Sequence, residues 1–151
     1  MVKVFIYPAT SLILSDMVAR FGHEPIGSAL GIRERIQTPG FESPPLQITP
    51  EEPKKGLKWA AVEVPSGVRG RMAIYGPLIE EAEAAIIIRE ADYAFGCMGC
   101  ARTNELIQFQ LRQSGIPLLD LEYPSSDEDG VAFVAAIREF LAGLGGEEGA
   151  A

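Results

Sequence analysis

One histidine and two cysteines are all the strong metal-binding side chains that this 151-residue chain holds. A closed tetrahedral zinc site or a cubane iron–sulfur cluster takes four protein ligands. A single copy therefore cannot complete either centre from thiolates and imidazole. Basic residues are also scarce, 13 against 21 acidic, for a net charge of −8. That balance excludes a sequence-independent nucleic-acid binder, which needs a basic footprint. No apolar run approaches the roughly 20 residues that cross a bilayer. Met1 to Tyr7 is apolar and β-branched without the pattern of a cleaved signal, and reads as the first strand of a cytoplasmic protein. The loop after it lacks G-x-G-x-x-G, and no Gly-Lys-Ser/Thr ending occurs, so neither a dinucleotide fingerprint nor a P-loop is present.

What the chain does have is concentrated in Phe95-Gly-Cys-Met-Gly-Cys-Ala-Arg-Thr-Asn-Glu105. Both cysteines, Cys97 and Cys100, stand there as Cys-x-x-Cys, after an apolar run and before a helical pattern. Two thiols at that spacing form a reversible disulfide or supply two soft ligands to a metal or cluster. A helix amino terminus favours the thiolate that either chemistry needs. In a reducing cytoplasm such a pair is a redox or metal motif rather than a structural staple. Two buried small residues at a glycine-rich turn is the plainer alternative.

Along the chain, apolar runs alternate with capped helical stripes. Strand one is followed by Leu14, Met17, Val18 and Phe21 at helical spacing, with Thr10 or Ser11 as N-cap and Gly22 as the terminating residue. His23 to Ile26 enters a second strand. Residues 37–56 form an irregular proline- and glycine-rich excursion, beside a possible helical segment at Gly31 to Gln37 that carries Arg33 and Arg35. Lys58 to Val64 carries a strand signal ended by Pro65. Pro77 is expected to open a helix with Glu80, Glu81 and Glu83 in its early turns and Leu78, Ala82, Ala85 and Ile86 as its buried stripe. A strand at Asp92 to Phe95, a helix through Leu106, Ile107 and Leu111, and a strand at Ile116 to Glu122 follow. Ser125-x-x-Glu128 reads as a capping box opening a helix with Val131, Val134, Ile137 and Leu141 inward. The expected fold is one α/β domain over residues 1–144, with a mostly parallel sheet of about five strands and helices on both faces. This is the Rossmann- or flavodoxin-like class, and residues 145–151 are its tail.

In such sheets ligands sit beyond the carboxyl ends of the strands. The segments expected there are Pro8 to Ser11, Pro65 to Arg71, Gly96 to Asn104 and Tyr123 to Ser126. Ser66, Gly67, Arg69 and Arg71 make a candidate anion site, because glycines free backbone amides and guanidinium groups grip phosphate or carboxylate. A plain solvated turn is the alternative. Arg102, Thr103 and Asn104 follow the cysteines, to steady a thiolate or bound anion or, for the latter two, to cap the helix. Glu63 and Glu122 lie near strand ends without a feature that singles them out for acid–base work. His23 is expected at the opposite, amino edge, roughly 17 Å from the cysteines across a five-residue strand, and so in a structural role. A metal held by Cys97 and Cys100 then needs ligands from another chain.

Three stretches carry a family resemblance: Gly-Pro-Leu-Ile-Glu-Glu-Ala-Glu-Ala-Ala over 76–85, the cysteine segment over 95–106, and Ala-Val-Glu-Val-Pro-Ser-Gly-Val-Arg-Gly-Arg over 61–71. In these the chain resembles the methanogenesis marker protein 5 family over essentially its whole length. The resemblance implies a cytoplasmic protein of methanogenic archaea with an accessory role in assembly or activation of methyl-coenzyme M reductase. It brings no catalytic assignment. A shorter likeness, Gly115 to Tyr123, is to the last strand of 2-hydroxyacyl-CoA dehydratase-type subunits, which bind cubane clusters. The expectation is thus a non-catalytic accessory protein that uses its thiol pair with a protein partner, through an iron–sulfur cluster or zinc shared between chains or through the thiols themselves. A small thiol–disulfide redox enzyme, with Cys97 attacking and Cys100 resolving, is the second reading, and an interaction domain with incidental cysteines the third. Homo-oligomerisation is compatible with each; nucleic acid and membrane are not expected partners.

Overall fold

The computed structural model describes residues 1–27, 51–89 and 98–145, with residues 98–100 described by their backbone alone. Among these, four strands form one sheet in the order β2-β1-β3-β4, every neighbouring pair parallel. They are β1 (Lys3–Tyr7), β2 (Glu24–Ile26), β3 (Ala84–Arg89) and β4 (Leu118–Glu122). The connecting helices are α1 (Leu12–Arg20), the one-turn α2 (Glu52–Lys55), α3 (Ser66–Glu81), α4 (Met98–Gln113) and α5 (Asp127–Leu144).

The two central strands are apolar at nearly every position because both of their faces are covered, as parallel sheets require. Alternation splits their side chains between two cores. Phe5, Tyr7, Ala85 and Ile87 pack against Met72, Ile79, Ile107 and Leu111 of α3 and α4. Val4, Ile6, Ile86 and Ile88 pack against Leu14, Val18, Ile137 and Leu141 of α1 and α5. Helices thus lie on both faces, as the alternation of apolar runs implies.

Local signals hold at the first βαβ unit. The N-cap of α1 is Ser11, whose hydroxyl accepts the Leu14 amide at 3.3 Å, and Gly22 takes φ +79° beyond its end. His23 is buried at the entry to β2. Its Nδ1 accepts the Val2 amide at 3.3 Å, so Nε2 carries the proton and donates to the Leu141 carbonyl at 2.9 Å. With both ring nitrogens engaged, it stitches β1, β2 and α5 together as a structural residue.

Three expectations are corrected. Lys58 to Val64 is not a strand, and the described residues hold four strands, one of them the unexpected Ala84–Arg89, where about five were expected in the whole chain. Gly56–Lys58 is a 3₁₀ turn, and the amides of Trp59, Ala60 and Val64 are taken by the carbonyls of Gly56, Gly56 and Ala61. A backbone folded into successive turns does not present the extended row of amides that a ladder needs. Next, Pro77 lies inside α3 and does not open it. Glu80, Glu81 and Glu83 therefore fall at or after the helix's end, the wrong pole for carboxylates, and each is held by a specific partner. Lys58 Nζ binds Glu80 at 2.8 Å, Lys3 Nζ binds Glu81 at 3.3 Å, and the Lys3 amide donates to Glu83 at 2.8 Å. Ala85 and Ile86 belong to β3: a short run of continuous burial suits helix or strand equally until a neighbour supplies the ladder.

The third correction concerns α5. Its N-cap is Ser126, which accepts the Asp129 amide at 3.1 Å, one residue later than the expected box. Ile137 and Leu141 are buried as expected, but Val131 and Val134 are 74% and 42% exposed. The helix has 18 residues, about 27 Å, against about 17 Å for the five-residue β4 it packs beside. Its first turns overhang the sheet. The expected elements at Gly31 to Gln37 and Asp92 to Phe95, with Arg33 and Arg35, lie outside the described residues. So do most of the 37–56 excursion and the tail from residue 146.

Candidate functional site at the carboxyl edge of the sheet

The strand order creates a topological switch point. From β1 the chain leaves through α1 toward β2 on one side, while β3 lies on the other side of β1 and leaves through α4. The two connections depart in opposite directions and open a crevice between the carboxyl ends of β1 and β3. Pro8 to Ser11 form one bank, ordered by the Ser11 amide on the Pro8 carbonyl at 3.0 Å. Gly27 closes against this loop; a Cβ there would sit 2.6 Å from the Ala9 carbonyl oxygen.

Cys100 is the third residue of α4, in its opening turn. Because α4 returns the chain to the start of β4, this turn stands at the carboxyl edge, where peptide dipoles favour a thiolate. Cys97 lies outside the described residues. Thr103 and Asn104 are in the second turn and so do not cap the helix. Thr103 is 2% exposed, and both residues are engaged by interactions within the fold. Arg102 is exposed.

Around Pro65 to Arg71 the guanidinium groups bond backbone carbonyls. Ser66 and Gly67 open α3. Arg69 donates Nε to the Val64 carbonyl and Nη1 to the Pro53 carbonyl, each at 3.1 Å, while Arg71 Nη1 reaches the Gly67 carbonyl at 3.2 Å. Arg69 thereby locks the 51–65 segment onto α3. Gly56 allows the same approach, since any Cβ there would overlap the Arg69 carbonyl.

The start of α3 does reach the cysteine-bearing helix in another way. A groove of about 450 Å³ runs between the residues that lead into α3 and the outer side of α4. Val64, Val68 and Leu106 line it, with Phe109 as an exposed wall. Glu63, Glu105 and Arg102 stand on its rim. A second, larger hollow of about 710 Å³ lies at Tyr123 to Ser126 and Val131. There Asp129 bonds Ser126 and Ser125, which hold its carboxyl below the usual range. With Asp127 and Glu128 beside it, this helix start repels anions.

Sequence reasoning missed one polar network. Asp120 sits in the middle of the apolar run Leu-Leu-Asp-Leu, and that misplaced carboxylate was the available signal. Its oxygens accept Arg89 Nε at 2.6 Å and Arg112 Nη2 at 2.8 Å. Burial pushes its carboxyl up, but the hydrogen bonds from Arg112 and Arg89 outweigh this and hold it below the ordinary value. Arg112 also reaches Gln108 at 3.3 Å, and Gln108 in turn bonds the Tyr7 phenol. Burial raises the Tyr7 phenol, with the Gln108 bond opposing. The network ties β1, β3, β4 and α4 into one body beneath the crevice.

Among the described residues, no three His, Cys, Asp or Glu side chains gather to hold a metal ion, and no helix is long and apolar enough to cross a membrane. No solved structure matches the chain significantly. "Uncharacterized protein MJ0404" of Methanocaldococcus jannaschii is 57% identical over 144 residues, covering 95% of this chain and 96% of that protein. A family model described as "Uncharacterized protein conserved in archaea (DUF2112)" matches residues 2–144. With both matches spanning nearly its full length, the chain belongs to this conserved archaeal family.

Proposed function

We propose that the chain is an accessory protein of methanogenic archaea, of the methanogenesis marker protein 5 family, that works on a protein partner through Cys97 and Cys100. The resemblance makes assembly or activation of methyl-coenzyme M reductase its setting, and a relative from a methanogen supports that setting. The thiols contact the partner directly or supply two of the ligands of a zinc ion or iron–sulfur cluster, the partner supplying the rest. His23 cannot join them, because both of its nitrogens are engaged at the amino edge.

One observation carries the partner reading. Large apolar side chains are exposed around the edge at which α4 opens: Leu12 at 76%, Ile13 at 75% and Val131 at 74%, with Val62 and Tyr123 also exposed. A site for a small substrate turns its apolar groups inward to a cavity. Apolar groups turned outward around a reactive turn suit contact with another macromolecule.

The test is anaerobic purification of the full chain from its host, with metal analysis and identification of co-purifying proteins. Cys97→Ser and Cys100→Ser should each lose the bound protein or metal while circular dichroism and unfolding midpoint stay as in the wild type. Rapid turnover of an ordinary protein disulfide by the isolated chain, abolished in Cys97→Ser, would overturn the proposal in favour of a thiol–disulfide enzyme.

A further inference from the structure

The chain has four lysines, and three of them fall at 54, 55 and 58, around a single exposed leucine. Leu57 is 48% exposed in the 3₁₀ turn after α2, although the chain as a whole is strongly acidic. This turn is not a loose loop. Gly56 rests on the Arg69 carbonyl, Arg69 holds the Pro53 carbonyl, and the Trp59 carbonyl accepts Gln110 Nε2 at 2.8 Å. Leu57 is therefore presented on a rigid base, with Lys54 and Lys58 fixed by Glu51 and Glu80 and Lys55 exposed beside it. It is a basic-rimmed apolar knob.

The complementary shape lies on the same layer of the molecule. The groove between the entry to α3 and the outer side of α4 is lined by Val64, Val68 and Leu106, and Phe109 stands 59% exposed along it. Two of the three charges on its rim are carboxylates, Glu63 and Glu105, and the third is Arg102. An occupant must bring an apolar side chain and a cation, and the knob at Leu57 has both. Knob and groove both belong to the α3/α4 side of the sheet, so one two-fold axis can seat each copy's knob in the other's groove.

We propose that the outer face of the α3/α4 layer is a self-association surface, on which Leu57 of one copy enters the groove beside Phe109 of a second while Lys55 faces Glu105 and Glu63. The pairing does not use the thiols, and it stands whether or not the accessory role above is correct. Net charge of −8 per chain opposes pairing at long range, but that repulsion is screened within about 8 Å at physiological salt, whereas the knob's own contacts are local.

The experiment is sedimentation of the full chain over a wide concentration range. The wild type should sediment as a dimer. Leu57→Asp and Phe109→Asp should each weaken the dimer by on the order of tenfold or more. Both side chains are exposed, so the monomer's unfolding midpoint serves as the control for folding. Lys55→Glu should weaken the dimer, and Lys55→Glu combined with Glu105→Lys in one chain should recover it, which no general loss of stability would do. Cys97→Ser should dimerise as the wild type does, which separates this surface from the thiol chemistry. A wild type that stays monomeric at the highest concentrations, or a dimer indifferent to both aspartate substitutions, overturns the proposal.

Discussion

Replacing Gly76 by alanine should destabilise the protein, although the substitution improves helix propensity. Gly76 is inside α3, where alanine is favoured over glycine by about 1 kcal/mol. Against this, a Cβ at Gly76 would lie 2.5 Å from Cγ of Trp59, with other indole atoms nearer still. Carbon atoms rest at about 3.5–4.0 Å, so the ring must retreat by about 1 Å or more. It is not free to do so. Its Nε1 donates to Glu80 at 3.0 Å, the Lys58 ammonium lies 4.9 Å from the ring centroid, and the Trp59 carbonyl is held by Gln110. Overpacking of this kind costs about 1–3 kcal/mol, and a displaced indole also loses its burial on α3. The net expectation is a loss of about 1–2 kcal/mol, or a melting temperature lower by about 2–4 °C for each kcal/mol at this size. Trp59 is the only tryptophan, so urea unfolding followed by its fluorescence reads both stability and the ring's environment. The native emission should shift to the red, and the midpoint should fall with an unchanged slope. Gly130→Ala is the control: nothing lies within 4 Å of a Cβ there, and this variant should gain up to about 1 kcal/mol. A Gly76→Ala protein as stable as the wild type, with unshifted emission, would refute the reasoning.

Three further outcomes follow from the same contacts. Gly56→Ala should cost more than Gly76→Ala, because its added carbon meets the backbone of α3, which cannot rotate away; the urea midpoints of the two variants decide this. His23→Ala should lose about 1–3 kcal/mol by leaving the Val2 amide and Leu141 carbonyl without their partner, and His23→Gln, able to restore one bond, should lose less in the same assay. Asp120→Asn should lose at most about 1 kcal/mol at neutral pH, since its ion pairs are partly exposed. The Asp120 carboxyl is held below its ordinary value of 3.8 in the folded protein, so its stabilisation is present above that pH and disappears as pH falls through the lower, folded value. Midpoints for wild type and Asp120→Asn measured from pH 7 downward should therefore converge in strong acid, and a gap that persists there would contradict the assignment.

Much of the scaffold was legible because its signals are local. Ser11 and Gly22 bracket α1 through bonds and backbone angles that near neighbours set, and the stripe of Ile107 and Leu111 needs only a 3.6-residue period. The parallel sheet follows from strands alternating with such helices, and the structural role of His23 follows from its place between α1 and β2. What tertiary structure alone decided has a common cause: a side chain or backbone group can satisfy more than one partner, and the sequence does not say which partner arrives. Ala84 to Ile88 became a strand because β1 and β4 offer ladders on both sides. Trp59 to Val64 did not, because Gly56 and Gly76 let that segment close onto α3 in successive turns. Arg69 and Arg71 have guanidinium groups whose partners no sequence pattern names, and the carbonyls of Pro53, Val64 and Gly67 take some of their donors. Val131 and Val134 have the spacing of core residues, but α5 is longer than the strand it covers, and no periodicity records where a helix overruns its sheet.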